Sequence, residues 1–172
     1  MTSVFIGGSR AVTRLNNLIL AKLDELIVRQ CVIFVGDANG ADKVVQKHFA
    51  DRGYEQVVVY CMDGCRNNIG NWPSKNVRRP SSRKDFAYYA AKDHAMAQDA
   101  SCGIMLWDGK SKGTLNNIQR LVASGKKTLV YLATENAFHK IVTEPEFEAL
   151  LQRCDPNAVQ RAQQEIIAKL AT

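Results

Sequence analysis

Nowhere does the chain hold an apolar run near the roughly 20 residues a membrane-spanning helix needs, so no membrane association is expected. Its start, Met1-Thr2-Ser3-Val4-Phe5-Ile6, lacks the basic leader and small-residue cleavage site of a secretory signal. Cysteine is sparse and odd in number, five in all, at 31, 61, 65, 102 and 154. Cys61 and Cys65 form a lone C-x3-C pair with no second pair and no nearby histidine, which argues against zinc, and no metal is expected. Cys31 and Cys102 fall in or beside apolar runs, so buried thiols in a reduced, cytoplasmic protein are the simplest expectation. The standard catalytic and nucleotide signatures are also missing. There is no G-x-x-x-x-G-K-[ST], no G-x-G-x-x-G after the first apolar run, no H-E-x-x-H and no G-x-S-x-G. Of three histidines, His48 and His94 fall inside helical patterns and His139 in the tail, leaving none placed as an obvious base. ATP hydrolysis and hydride transfer to a dinucleotide lose ground, and no cofactor is expected.

Acid is absent from residues 66–84, although Arg66, Lys75, Arg78, Arg79, Arg83 and Lys84 all lie there. That stretch alone carries as much positive charge as the net +6 of all 172 residues. It reads either as a solvated loop or as a flap facing a nucleotide or a nucleic-acid backbone. Trp72 with Asn67, Asn68, Asn71 and Asn76 would allow stacking and base-edge contacts.

What is present is a regular alternation of short apolar runs with helical periods. Residues 3–6, 31–35, 57–61, 104–107 and 128–132 read as five strands. Helices are expected from Leu15 to Ile27, from Val44 to a stop at Gly53, from about Arg83 (capped by Ser82) to Ala100, and from Leu115 to about Gly125. Strands alternating with helices predict an α/β fold: a Rossmann-like, doubly wound parallel sheet of about five strands in the order 3-2-1-4-5. The chain is read as a single domain over 1–172. Its nucleotide-binding core spans 1–133, and a helical C-terminal extension spans 134–172. Pro145 sits in the first turn of one tail helix, and Asp155-Pro156 opens another carrying Val159, Ala162, Ile166, Ile167 and Leu170. That apolar face packs on the chain's own sheet or on a second subunit.

In open parallel sheets the ligand crevice lies beyond the carboxyl ends of the strands, where the strand order reverses. Three small-residue turns are expected to converge there. Gly7-Gly8-Ser9-Arg10 follows the first strand, Gly36-Asp37-Ala38-Asn39-Gly40-Ala41-Asp42 the second, and Asp108-Gly109-Lys110-Ser111-Lys112-Gly113-Thr114 the fourth. Glycines 7, 8, 36, 40, 109 and 113 let backbone amides approach a ligand, and a helix N-terminus favours an anion. Arg10 and Arg83 are the candidate phosphate ligands, because a guanidinium matches phosphate bidentately. Ser9, Ser111 and Thr114 are candidate hydrogen-bond donors to the ligand; Asp37 and Asp42 complete the candidate binding set.

The order of these motifs, G-G-S-R, then G-D-A-x-G-A-D, then an arginine-led helix, then D-G-x-S-x-G-T, resembles the SLOG superfamily of Rossmann-like nucleotide-binding proteins over residues 3–132. The G-D-A-x-G-A-D turn is similar to that of its YspA-related branch. The DNA-processing proteins and the lysine-decarboxylase-like phosphoribohydrolases are relatives within the superfamily. The resemblance implies a nucleotide or nucleotide-derived ligand over the first and fourth strand exits, held by a sensor or ligand-binding protein. The phosphoribohydrolases carry P-G-G-x-G-T-x-x-E. Here Gly113-Thr114 matches, but the glutamate position is Asn117, which cannot take a proton. Acid–base help is worth about 100- to 10,000-fold, so its loss weakens the hydrolase reading. Asp108 and Asn117 are the candidate catalytic residues of the alternative, an N-glycosidase or (deoxy)ribosyltransferase acting on a nucleoside or nucleoside monophosphate, with Asp37, Asp42 or Asp85 able to serve as the carboxylate in place of Asp108. A second alternative is a single-stranded nucleic-acid-binding module using residues 66–84. A homodimer or higher homo-oligomer is compatible with the apolar last helix.

Overall fold

The computed structural model describes residues 1–78 and 86–170. The elements run β1 (Ser3–Gly8), α1 (Asn17–Val28), β2 (Val32–Gly36), α2 (Ala41–Asp51), β3 (Val57–Cys61), β4 (Ser74–Asn76) and α3 (Phe86–Asp99). They continue with β5 (Cys102–Trp107), α4 (Lys112–Ala123), β6 (Thr128–Leu132), β7 (Ala137–Ile141), α5 (Glu144–Leu151) and α6 (Pro156–Leu170). This is an α/β fold with six helices and a mostly parallel sheet among the described residues. The expected helix start at Ser82 and Arg83 lies outside the described residues, as do Arg79, Lys84 and Asp85.

The sheet has seven strands rather than about five, so its order, β4-β3-β2-β1-β5-β6-β7, differs from the expected 3-2-1-4-5. The five apolar runs occupy the middle of the sheet, and two edge strands are added. Both edges were illegible for physical reasons. The β4 residues Ser74, Lys75 and Asn76 are all exposed, so no apolar alternation marks them. β7 pairs antiparallel with β6, which corrects the expectation of a purely helical tail. Its hairpin turn closes on Asn136, at φ 52°, a left-handed conformation that asparagine tolerates.

Side chains alternate across the strands and build two cores. Val4, Ile6, Ile33, Val35, Val57, Val59 and Ile104 pack with Ile19 and Leu23 of α1 and Val45 and Phe49 of α2. Phe5, Met105, Trp107, Val130 and Leu132 pack on the other side with Met96 of α3 and Leu115, Ile118 and Leu121 of α4. Val159, Ala162 and Ile166 of α6 join that second cluster, so that part of the tail's apolar face packs within the chain itself, whereas Ile167 is exposed. Lys126 ties α3 to the sheet by donating from Nζ to the carbonyls of Ala97, Gln98 and Ala100, each at 2.7 Å. These donations satisfy carbonyls that the helix end leaves orphaned. No helix among the described residues is long and apolar enough to cross a membrane.

The expectation of a reduced protein meets one exception. Cys61 and Cys65 are joined by a disulfide, with Cα atoms 4.9 Å apart. Asp63 (φ 51°) and Gly64 (φ 96°) turn the chain back sharply enough to bring the two together. Cys31 and Cys154 are free and buried, and Cys102 is free and half-buried.

Candidate functional site

The strand order reverses between β1 and β5, because the chain leaves β1 toward β2 and returns on the other side at β5. A cavity of about 470 Å³ opens there, beyond the carboxyl ends of β1, β2 and β5. Gly7, Gly8, Ser9 and Arg10 form one wall, and Asp108, Ser111, Gly113, Thr114 and Asn117 form another. Asp42 contributes from α2. Ten of the residues expected from the sequence therefore share one cavity. Gly36, Asp37, Gly40 and Gly109 do not line it, and Arg83 lies outside the described residues.

Three of these, Gly36, Gly40 and Asp37, shape the site instead. A Cβ on Gly36 would collide with the Asp42 carboxylate and approach Lys92 Nζ to 2.9 Å. Gly40, at φ +84°, lies against the Arg10 backbone, which any side chain would hit. Gly8 is similarly constrained, because a Cβ there would come within 2.5 Å of the Leu106 carbonyl oxygen. Asp37 is buried and acts as the hub beneath the cavity. Its carboxylate accepts Lys92 Nζ at 2.8 Å, Arg66 Nη2 at 2.9 Å, Arg66 Nε at 3.1 Å and the Arg66 amide at 3.0 Å. Burial alone would raise its pKa. The Arg66 side-chain and backbone hydrogen bonds outweigh burial, and Lys92 adds to them, so the carboxyl is held well below the usual range.

Neither Lys92 nor Arg66 was singled out for the site by sequence reasoning. Lys92 is only 3 % exposed, yet lines the cavity. It lies inside a helical pattern with no motif around it, and only its burial distinguishes it from any surface lysine. Arg66 was read as part of a basic run; in the structure its charge is spent largely on Asp37.

Asp42 differs from Asp37. Burial pushes its carboxyl up to about 6; Lys92 opposes this, Asp93 reinforces it, the Ala38 amide donates to it, and Asp37 adds further repulsion. A proton on this carboxyl is therefore available close to neutral pH. Asp93, also unforeseen, lines the same cavity, where its Oδ2 accepts Asn117 Nδ2 at 2.9 Å.

Asp108 has a different task from the catalytic one expected. Its Oδ1 accepts the amides of Lys110 at 3.2 Å and Ser111 at 2.8 Å, and its Oδ2 accepts Ser9 Oγ at 2.9 Å. Burial works to raise its pKa, but the Ser111, Lys110 and Ser9 hydrogen bonds win and lower it. An ionised carboxylate with its lone pairs so occupied fixes a turn and has no proton to give near neutral pH. Ser111 Oγ donates to Ser9 Oγ at 2.6 Å, so its hydroxyl is engaged within the protein rather than held for a ligand.

That engagement opens the end of α4. Ser111 stands at the N-cap, but its side chain makes no capping hydrogen bond. The first bond of the helix runs from the Leu115 amide to the Ser111 carbonyl, and the Gly113 and Thr114 amides have no acceptor among the described residues. Nothing lies within 4 Å of where a Gly113 Cβ would stand. Thr114 and Asn116 are 3 % and 8 % exposed, line the cavity, and have side chains with no hydrogen-bond partner among the described residues. The polar atoms of these two side chains are not buried away from solvent; they open onto the cavity beside the helix end, where a ligand can reach them. Arg10 is exposed at the rim and, among the described residues, has no ion-pair partner. Among the described residues, no three His, Cys, Asp or Glu converge as metal ligands.

Trp72 does not offer the stacking face expected of it. It is 5 % exposed, and its indole Nε1 donates to the Tyr54 carbonyl at 2.8 Å. Lys75 is engaged with Asp99.

Comparison with protein-family models, with curated proteins and with solved structures finds no match to this chain.

Proposed function

We propose that this chain binds a nucleotide or nucleotide-derived ligand at the carboxyl ends of β1, β2 and β5, as a sensor or ligand-binding protein. The observation that carries the reading is the open N-terminus of α4, with Gly113 and Thr114 amides that have no acceptor among the described residues and Thr114 and Asn116 side chains that line the cavity beside them. Such an end favours an anion through both hydrogen bonds and the helix dipole. Arg10 adds a cation at the rim. The doubly wound, Rossmann-like description and the likeness to SLOG proteins belong to the same proposal. So does the cytoplasmic setting, against which the Cys61–Cys65 bridge weighs. The direct test is mass spectrometry of small molecules released from the purified protein. A retained nucleotide supports the proposal; a protein released empty that also binds no nucleoside phosphate at millimolar concentration overturns it.

A second reading, cleavage or transfer at an N-glycosidic bond, is favoured by one observation. Asp42 and Asp93 face the cavity, and Asp42 is protonated closer to neutrality than an ordinary aspartate. Asp108, ionised and bonded to its own turn, is the weaker candidate for that chemistry. Incubation with nucleoside monophosphates would release free base under this reading and leave them intact under the first.

A further inference from the structure

A second cavity, of about 270 Å³, is lined by Met62, Asp63, Gly64, Cys65, Arg66, Tyr88 and Tyr89. Arg66 and Tyr89 also line the first cavity, so these two side chains border both spaces. The second space is thus the neighbouring cavity toward which a molecule anchored by an anionic group at α4 would extend.

The walls of that second space are planar and already fixed. The Tyr88 and Tyr89 rings meet edge to face, with centroids 5.2 Å apart and planes at 89°. The Arg66 guanidinium sits 5.4 Å from the Tyr89 ring centroid. Its bonds from Nε and Nη2 to Asp37 hold the plane in place and leave Nη1 outside that pair. Stacking on such a surface requires no further ordering of the arginine, which removes much of the usual entropic cost of binding. The loop carrying Asp63 and Arg66 is itself restrained by the Cys61–Cys65 bridge. Within this loop one Asp63 oxygen accepts the Tyr88 hydroxyl, and the carboxylate remains exposed at the cavity edge. A carboxylate is an acceptor only, so it selects a ring whose edge carries N–H groups.

We infer that the second cavity is a nucleobase subsite, in which an amino-bearing base stacks against the Arg66–Tyr89 surface and presents its N–H edge to Asp63. The inference rests on the proposal that the first cavity holds the phosphate of a nucleotide. Every base has a π-face and stacks on such a surface, so stacking supplies affinity and Asp63 supplies preference.

The test compares adenosine 5′-monophosphate with ribose 5-phosphate by isothermal titration calorimetry on the full chain. The two share a phosphate and a ribose and differ in the base. The expected result is about tenfold tighter binding of the adenosine nucleotide, with that ratio falling toward one in Tyr89→Leu and surviving in Tyr89→Phe. Saturation-transfer NMR on the unaltered protein gives a readout that does not depend on a variant folding: its strongest enhancements should fall on the adenine ring protons. Equal affinity for the two ligands, or a ratio unchanged by Tyr89→Leu, overturns the base subsite while leaving the phosphate site standing. Failure of both ligands to bind overturns the nucleotide reading and the subsite with it.

Discussion

Two helices that enter from the same rim of the sheet end differently. The N-terminus of α1 is sealed: Asn16 Oδ1 accepts the Ile19 amide at 2.9 Å, and Asn16 Nδ2 donates to Tyr131 Oη and Asn136 Oδ1, each at 2.7 Å. The N-terminus of α4 is open, because its cap residue, Ser111, turns its hydroxyl to Ser9 instead. Both caps are good cap formers by residue type, so intrinsic preference does not separate them. What separates them is the serine–aspartate chain from Ser111 through Ser9 to Asp108, which draws the capping hydroxyl away. A protein that leaves a helix end unsatisfied beside a cavity loses stability there, and binding of an anion restores what the cap would have given.

The comparison can be broken in four ways, the largest effect coming from the floor of the open site. Asp37→Asn leaves buried Lys92 facing a neutral amide and should destabilise the fold by about 3–5 kcal/mol in urea titration. Because the Asp37 pKa lies below its ordinary value, its contribution is present at neutral pH and is lost only as pH falls below about 4. A loss under about 1 kcal/mol would mean that water or Arg66 rearrangement satisfies Lys92. Next is the sealed helix: Asn16→Ala should cost about 1–2 kcal/mol and leave ligand affinity alone. An equal loss of ligand binding would show that α1 belongs to the site.

A smaller effect is expected from Asp42. Its folded pKa is raised to about 6 from 3.8, so its favourable protonated form is fully present below pH 4, and stability falls as pH rises through 6. Asp42→Asn should flatten that slope, by on the order of 1 kcal/mol between pH 4 and pH 7 for a half-buried group. A parent protein whose stability does not decline over that window contradicts the assignment. Smallest in stability, and largest in meaning, is Thr114→Val. It removes a hydroxyl that has no partner among the described residues, so stability should change by less than about 0.5 kcal/mol while nucleotide affinity drops several-fold. A large loss of stability would mean that the hydroxyl is satisfied inside the protein.

Much of this was legible in the chain itself. The apolar runs at 3–6, 31–35, 57–61, 104–107 and 128–132 are strands because parallel strands buried on both faces leave continuous hydrophobic signals. Edge strands leave none: β4 is wholly exposed, and in β7 only Ile141 is buried. The glycine turns lie at the rim, but glycine serves two purposes that sequence does not distinguish. Gly7 and Gly113 line the cavity, whereas Gly40 and Gly109 take positive φ in turns behind it. Lys92, Asp93 and Asn116 were invisible because each sits in an ordinary helical period, and tertiary placement alone gives them a role. Asp108 and Asn117 were visible for a reason that proved partial. Asp108 fixes the turn, and Asn117 reaches Asp93.

The central claim, that the open end of α4 receives the anionic group of a nucleotide, is tested most directly by following its backbone amides. In ¹⁵N-resolved NMR titrations with adenosine 5′-monophosphate, the Gly113 and Thr114 amide protons should move downfield by the largest amounts in the spectrum, while the Ile19 amide at the sealed end of α1 stays in place. Saturable binding that leaves Gly113 and Thr114 unmoved, or no binding at all, would contradict the account.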